Sequence, residues 1–233
     1  MARGSGLSGG LRVAVLIPAL DEAESLPGVL ASLPAVERVV VIDNGSTDAT
    51  AAVARAHGAE VVSAPRRGYG TAVQAGIHRL RSDPPDVVVI LDADGADPGE
   101  RLFDLVLPIA AGHADLVSTD RTRTAEPGAL TPVQRYGNLL SVWLIARVTG
   151  RRYRDMGPFR AIRWSSLVAL DMSDPTWGWN VEMQIKAVKL GLRILEVPLP
   201  YRARARGRSK ISGSLRGAAR AGARILWAVN RYR

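Results

Sequence analysis

Short aliphatic runs recur through the first half of the chain, separated by segments of helical length. They are "RVAVLIP" from Arg12, "RVVVID" from Arg38, "AEVVSA" from Ala59, "DVVVILD" from Asp86 and "ADLVST" from Ala114. Between them, residues 23–33, 48–57, 71–80 and 98–111 are amphipathic. Runs apolar at every position rather than at alternate ones have to be buried on both faces. The alternation therefore predicts an α/β fold, a mostly parallel sheet with helices on both sides. In such sheets ligands bind beyond the carboxyl ends of the strands. Here those ends carry the special residues: Pro18 to Glu22, Asp43 to Asp48, Arg66 to Gly70, and Asp92 to Asp97.

The last of these is the sharpest. "VVVILDADGADPGE", residues 87–100, places three acids directly after a strand. Desolvated carboxylates need a cation, a hydrogen-bond donor or open water. Asp92 and Asp94 can project together toward one divalent ion, and oxygen ligands suit Mg2+ or Mn2+ completed by substrate phosphates. The plainer reading is an acidic turn. Asp97, just before Pro98, is expected to be the N-cap of the next helix with proline at N1.

The second half is less regular. A helix is expected from Gln134 to Thr149, a strand in "GPFRAIR" from Gly157, a helix in "GWNVEMQIKAVKLG" ending near Gly191, and a strand in "LRILEVPLPY". "RARARGRSKISGS" reads as a mobile loop. The charge of +9 resides in the tail: residues 201–233 carry ten Arg and Lys and no acid, leaving 21 bases against 22 acids before them. A body so balanced argues against a nucleic-acid partner. With no cysteine, neither disulfides nor thiolate metal sites arise, and His57, His78 and His113 lack metal-ligand spacing. No apolar window reaches the roughly 18 residues of a spanning helix. Residues 1–10 read as a flexible leader and residues 214–233 as a basic amphipathic helix. At about 100° per residue, Leu215, Ala218, Ala219, Gly222, Ile225, Leu226 and Val229 share one side and Arg216, Arg220, Arg224 and Arg231 the other. That pattern suits an anionic membrane surface. The alternative is packing on the body or on a second subunit.

"LIPALDE" at Leu16, "VVVIDNGSTDAT" at Val39, "RRGYGTAVQAG" at Arg66, "LDADGADP" at Leu91, "DMGPFRAIR" at Asp155, "GWNVEMQIKA" at Gly178 and "GRSKISG" at Gly207 occur in this order. In order and spacing the chain resembles inverting family 2 glycosyltransferases, in the branch of dolichyl-phosphate mannose synthase and bacterial polyprenyl-phosphate sugar synthases. The resemblance departs at Asp21, Asn44, Ala96 and Asp97, where the family commonly carries Asn, Asp, Gln and His. It implies a GT-A type, Rossmann-like domain over residues 11–213. Pro18, Ala19, Glu22, Arg67, Gly68 and Asp92 would then bind the nucleotide sugar, with Asp43 on the base, and Asp92 and Asp94 would hold the metal. Asp155 would be the catalytic carboxylate, as base or as positioning group, and Arg160, Glu182, Arg202, Arg208, Ser209 and Lys210 would meet the acceptor and its phosphate. Plainer readings stand beside these: a capped turn at Asp43, a turn at Arg67 to Gly70, a salt bridge at Asp155, a solvated helix acid at Glu182 and a solvated charge run at Arg202 to Lys210.

The implied activity is transfer of a hexosyl unit, with inversion, from a UDP- or GDP-sugar to polyprenyl phosphate. The implied place is cytoplasmic, peripheral at the inner face of the cell membrane. The rivals are a glycosyltransferase with a soluble acceptor and a non-catalytic basic binding module. A dinucleotide-dependent dehydrogenase is disfavoured, because the first strand ends in "PALDE" without G-x-G-x-x-G.

Overall fold

The computed structural model describes residues 10–204 and 215–233, apart from the side chains of 215–221. The leader residues 1–9 and the expected phosphate-binding residues Arg208, Ser209 and Lys210 lie outside them. In chain order the elements are β1 (Val13–Ala19), α1 (Leu26–Ser32), β2 (Arg38–Asp43), α2 (Thr50–Ala56), β3 (Glu60–Ser63) and α3 (Tyr69–Leu80). Then come β4 (Val87–Ile90), α4 (Leu102–Ala110), β5 (Leu116–Asp120), α5 (Pro132–Thr149), β6 (Arg160–Arg163), α6 (Trp164–Ala169), α7 (Gly178–Lys189), β7 (Ile194–Pro198) and α8 (Leu215–Tyr232).

The strands form one seven-stranded sheet in the order β3-β2-β1-β4-β6-β5-β7. All neighbours pair in parallel except β6, which runs antiparallel to both β4 and β5. Helices cover both faces, as the uninterrupted aliphatic runs require. Val15 and Ile17 of β1 pack with Leu26, Leu102, Leu105 and Ile109 on one face. Ala14 and Leu16 pack with Val73, Ile77, Trp179 and Met183 on the other. Alternate residues of a strand thus serve opposite layers.

Local signals explain most boundaries. α5 starts two residues before the expected Gln134 because Thr131 and Gln134 form a capping box, Thr131 N donating to Gln134 Oε1 at 2.8 Å, with Pro132 in the first turn. α7 ends at Lys189 and Gly191 follows in the left-handed region at φ +65°, which closes a helix at no Cβ cost. The expectation for Asp97 fails. Its side chain caps nothing, a 3-10 turn at Gly99–Arg101 precedes α4, and Asp97 points inward instead.

α8 also departs from its expected setting. Ala228 and Val229 are buried, and with Ile225 and Tyr232 they pack on Ile145 of α5 and on Val181 and Ile185 of α7. Of the apolar side expected to face a membrane, Ile225 and Val229 are covered by the body, while Leu226 and the neighbouring Trp227 are exposed. Arg224, expected on the solvated side, turns inward to Asp174. No helix among the described residues is long and apolar enough to cross a membrane.

Candidate functional site

A cavity of about 440 Å³ opens beyond the carboxyl ends of β1, β2 and β4. Pro18, Ala19 and Glu22 line it from the end of β1, Arg67 and Gly68 from the entry to α3, and Asp92 and Asp94 from the end of β4. The expected donor-side residues are thereby brought together, with one exception. Asp43 does not line the cavity; its Oδ1 accepts Ser46 N at 3.0 Å and closes the turn after β2, the plainer reading. Its neighbour Asn44 lines the wall instead. The Asn44 amide donates to Ala64 O at 2.8 Å and Arg66 O at 2.9 Å, and its Oδ1 accepts Gly68 N at 2.8 Å. Asn44 thus fixes the loop that carries Arg67. Gly68 and Gly70 allow the backbone at Asp174 and Pro175 to cross the start of α3, since a Cβ on either would collide with the carbonyls of Pro175 and Asp174.

The floor is acidic. Asp92 opens only partly to the cavity, and its enclosure by protein atoms, with the charge of Asp94, pushes its carboxyl up to about 7. Asp97 is buried behind it with neither oxygen bonded to a described protein group, and burial, then the charge of Asp92, lifts it well above the usual carboxylate range. Arg204 brings a cation to this floor: its Nη1 lies 2.7 Å from Glu22 Oε1 and its Nη2 3.1 Å from Asp94 Oδ2. Arg202, expected to meet phosphate, instead pairs with Glu100 at 2.6 Å, away from the cavity. Asp92 and Asp94, two residues apart at the end of one strand, are oxygen donors of the kind that suits a hard divalent cation. Among the described residues no three or more His, Asp or Glu side chains are placed to hold a metal, so Asp92 and Asp94 would be the protein's ligands and the remaining positions would fall to substrate oxygens and water.

A second cavity of about 240 Å³ lies between α5, α7 and α8. Arg121 stands at its inner end, small residues Gly137 and Ser141 hollow the face of α5, and Trp177 lines both cavities. Asp155 is buried and saturated by donors. Its Oδ2 accepts Arg121 N at 2.8 Å and Nε at 2.7 Å, and its Oδ1 accepts Arg121 Nη2 at 2.9 Å and Met156 N at 2.7 Å. Asp155 does make a salt bridge, with Arg121 at 2.7 Å. The bidentate fork aims Arg121, whose guanidinium carbon also lies 4.9 Å from the ring centre of Tyr201.

Arg160 and Glu182 line neither cavity. Arg160 is fully buried and donates to Pro158 O at 3.2 Å and to Gly157 O, and burial lowers its pKa. Glu182 is not a solvated helix acid: it is fully buried, accepts Ser173 N at 2.9 Å and Asp174 N at 2.7 Å, and pairs with Lys186 Nζ at 2.8 Å. Arg121 and Trp177 were not singled out in the sequence, Asn44 stood there only as a departure from the family pattern, and Arg204 only within the charge run. Arg121 had a signal, since it directly follows a strand as the donor-side acids do.

The family model described as glycosyl transferase family 2 matches residues 14–169. The chain is 42% identical over 206 residues to an uncharacterised glycosyltransferase of Mycobacterium tuberculosis, covering 88% of this chain and 92% of that one. It is 35% identical to a dolichyl-phosphate hexose transferase of Haloferax volcanii, covering 89% and 90%. The crystal structure of Mycobacterium tuberculosis glucosyl-3-phosphoglycerate synthase with Mn2+, UDP-glucose and phosphoglyceric acid is similar in fold, with TM-score 0.73, 25% identity, and 95% of this chain and 80% of that chain covered.

Proposed function

This chain belongs to glycosyl transferase family 2, and from that premise we propose that it moves a hexosyl unit, with inversion, from a UDP- or GDP-sugar to polyprenyl phosphate at a membrane surface. The observation that carries the reading is the meeting of two unlike cavities at Trp177. One is acidic and suited to a cation and a diphosphate; the other ends in a carboxylate-braced arginine suited to a phosphate.

A phosphate monoester has a second pKa of about 6, so it brings an ionised oxygen to the reaction at neutral pH. That oxygen attacks the anomeric carbon, the bond from this carbon to the β-phosphate oxygen breaks, and the nucleoside diphosphate leaves with the electron pair. No proton has to be removed. Asp155, with its carboxylate fully engaged, is therefore a positioning group for Arg121 and not a base. Arg121 holds the acceptor phosphate, and Arg204 moves from Asp94 to the donor phosphates. Asp92 and Asp94 would hold a divalent cation, Mg2+ or Mn2+, which when bound would supply positive charge for the departing diphosphate.

For the membrane, the better candidate is the outer face of α5 rather than the apolar side of α8. Tyr136, Leu139 and Trp143 are 70%, 65% and 58% exposed at helical spacing, on the helix whose other face lines the second cavity. Aromatic residues of this kind settle at the water–lipid interface. Exposed Leu226 and Trp227 of α8 extend the same apolar character, and the basic tail adds attraction to anionic lipid of roughly 1 kcal/mol per residue near the surface.

A second reading is a soluble phosphate-bearing acceptor, favoured by the phosphoglyceric acid in the similar structure. Labelled UDP- and GDP-sugars, incubated with Mg2+ or Mn2+ and either polyprenyl phosphate in anionic vesicles or phosphoglyceric acid, separate the two. The expected result is metal-dependent label in the lipid extract. Label confined to the aqueous product rejects the lipid acceptor.

A further inference from the structure

Trp177 stands where the two cavities meet, yet the residue is 45% exposed and is not locked by burial. What holds it is the backbone on either side. Asp174, fully buried, accepts Thr176 N at 2.7 Å and Thr176 Oγ1 at 2.8 Å on its Oδ1. Its Oδ2 accepts Arg224 Nη2 at 2.7 Å. Arg224 comes from α8, fifty residues further along, and its Nε also donates to Thr176 Oγ1 at 2.8 Å. The Arg224 guanidinium carbon lies 3.8 Å from the ring centre of Trp227, which fixes its direction. Gly178 completes the grip, since a Cβ there would collide with the Asp174 carboxylate.

We propose that Arg224 is a positioning residue for the transfer: it latches the segment from Asp174 to Gly178 and so holds Trp177 between donor and acceptor. α8 is then a working part of the site and not an appendage to it. Without Arg224, Asp174 keeps a buried carboxylate oxygen with no cation among the described residues, and such a group draws in water or rearranges its surroundings. The segment before Thr176 stays anchored by Glu182 and by Thr71 N donating to Pro175 O at 3.0 Å, so the released part is the turn that carries Trp177. Arg224 also lines the second cavity beside Ile225, so the same side chain borders the acceptor. What passes Trp177 rests on the function proposed above. The latch does not.

The protein has five tryptophans. Labelled with 5-fluorotryptophan it should give one 19F resonance for each, with that of Trp177 assigned by its loss in Trp177→Phe. In Arg224→Met the Trp177 resonance should move by more than its linewidth toward free fluorotryptophan. The turnover number should fall about tenfold or more, the scale of a misplaced positioning group. Arg224→Lys, which keeps a cation beside Asp174 but loses the Nε bond to Thr176 Oγ1, should give a smaller shift in the same direction and serves if Arg224→Met does not fold. A merely structural Arg224 would lower the melting temperature and leave the Trp177 resonance in place below it. An unmoved resonance in the folded variant overturns the proposal, whether or not a lipid acceptor is ever glycosylated.

Discussion

The two cavities, proposed as the donor and acceptor sides, are assembled by different means. On the donor side, Glu22, Asn44, Asp92 and Asp94 are delivered by the ends of parallel strands lying side by side, β2-β1-β4. Their placement follows from topology, and each lies a few residues beyond a buried aliphatic run. On the acceptor side the geometry is set by buried contacts that strand order does not supply: Arg121 with Asp155 and Asp174 with Arg224, distant in sequence, and Glu182 with the backbone of Ser173 and Asp174 just before its helix. A site built from strand ends tolerates the loss of a ligand without losing its shape. One built from buried pairs loses its shape when either partner goes.

The largest effect should separate chemistry from folding on the donor side. Asp94→Asn should reduce transfer by about three orders of magnitude or more, because an amide is a poor partner for a hard cation and for the charge it stabilises. Asp92→Asn should do the same without lowering the melting temperature of the metal-free protein, since it removes a carboxylate whose charged form burial and Asp94 disfavour. Calorimetric melting and a transfer assay on one preparation suffice. A large drop in melting temperature would mean that the two acids hold the fold.

On the acceptor side, Asp155→Asn should lower the turnover number by about two orders of magnitude through the loss of an aligned Arg121. The loss should be the same across pH 6 to 9, because Asp155 takes no proton. Arg121→Lys should not restore activity, since an ammonium cannot reproduce the two-pronged pairing with Asp155. A loss that varies with pH would return Asp155 to the role of base.

The same contrast governs how much could be read from the sequence. The strand runs, the helices between them and the acid pair at Asp92 and Asp94 were legible because period and strand-end chemistry are local. Asp97 misled because Asp-Pro before a helix is the usual capping signature, whereas here a 3-10 turn intervenes and the carboxyl turns inward. Glu182 sits on a helix beside a lysine like any solvated acid; only the fold-back of Ser173 and Asp174 buries it. Arg202 and Arg204 are identical residues two apart, and what separates them is Glu100 near the first and Glu22 with Asp94 near the second. The tail's amphipathic pattern marked its apolar face but not what covers it, because α5 and α7 enter only in three dimensions.

That arginine pair yields a smaller test. Arg204→Ala should raise the KM for the nucleotide sugar about tenfold, as expected when one charge-assisted hydrogen bond to the donor is removed, while Arg202→Ala should change it by less than about twofold. Equal effects would place both arginines on the donor.

The smallest effect lies far from either cavity. Asp115 is held at about 2, first by its hydrogen bonds from the Arg193 guanidinium. Its folded pKa is below the unfolded value, so its contribution is present above about pH 4 and is lost as pH falls toward 2. Asp115→Asn should lower the melting temperature by about 1–3 °C at pH 7, with the difference shrinking below about pH 4. A constant difference would assign the effect to packing.

Transfer to a phosphate oxygen is tested most directly by following phosphorus through the reaction. With nucleotide sugar, polyprenyl phosphate and diamagnetic Mg2+, 31P NMR should show the acceptor's monoester resonance replaced by a phosphodiester resonance, in step with one equivalent of nucleoside diphosphate. Nucleoside diphosphate appearing while the monoester resonance persists unchanged would contradict the account.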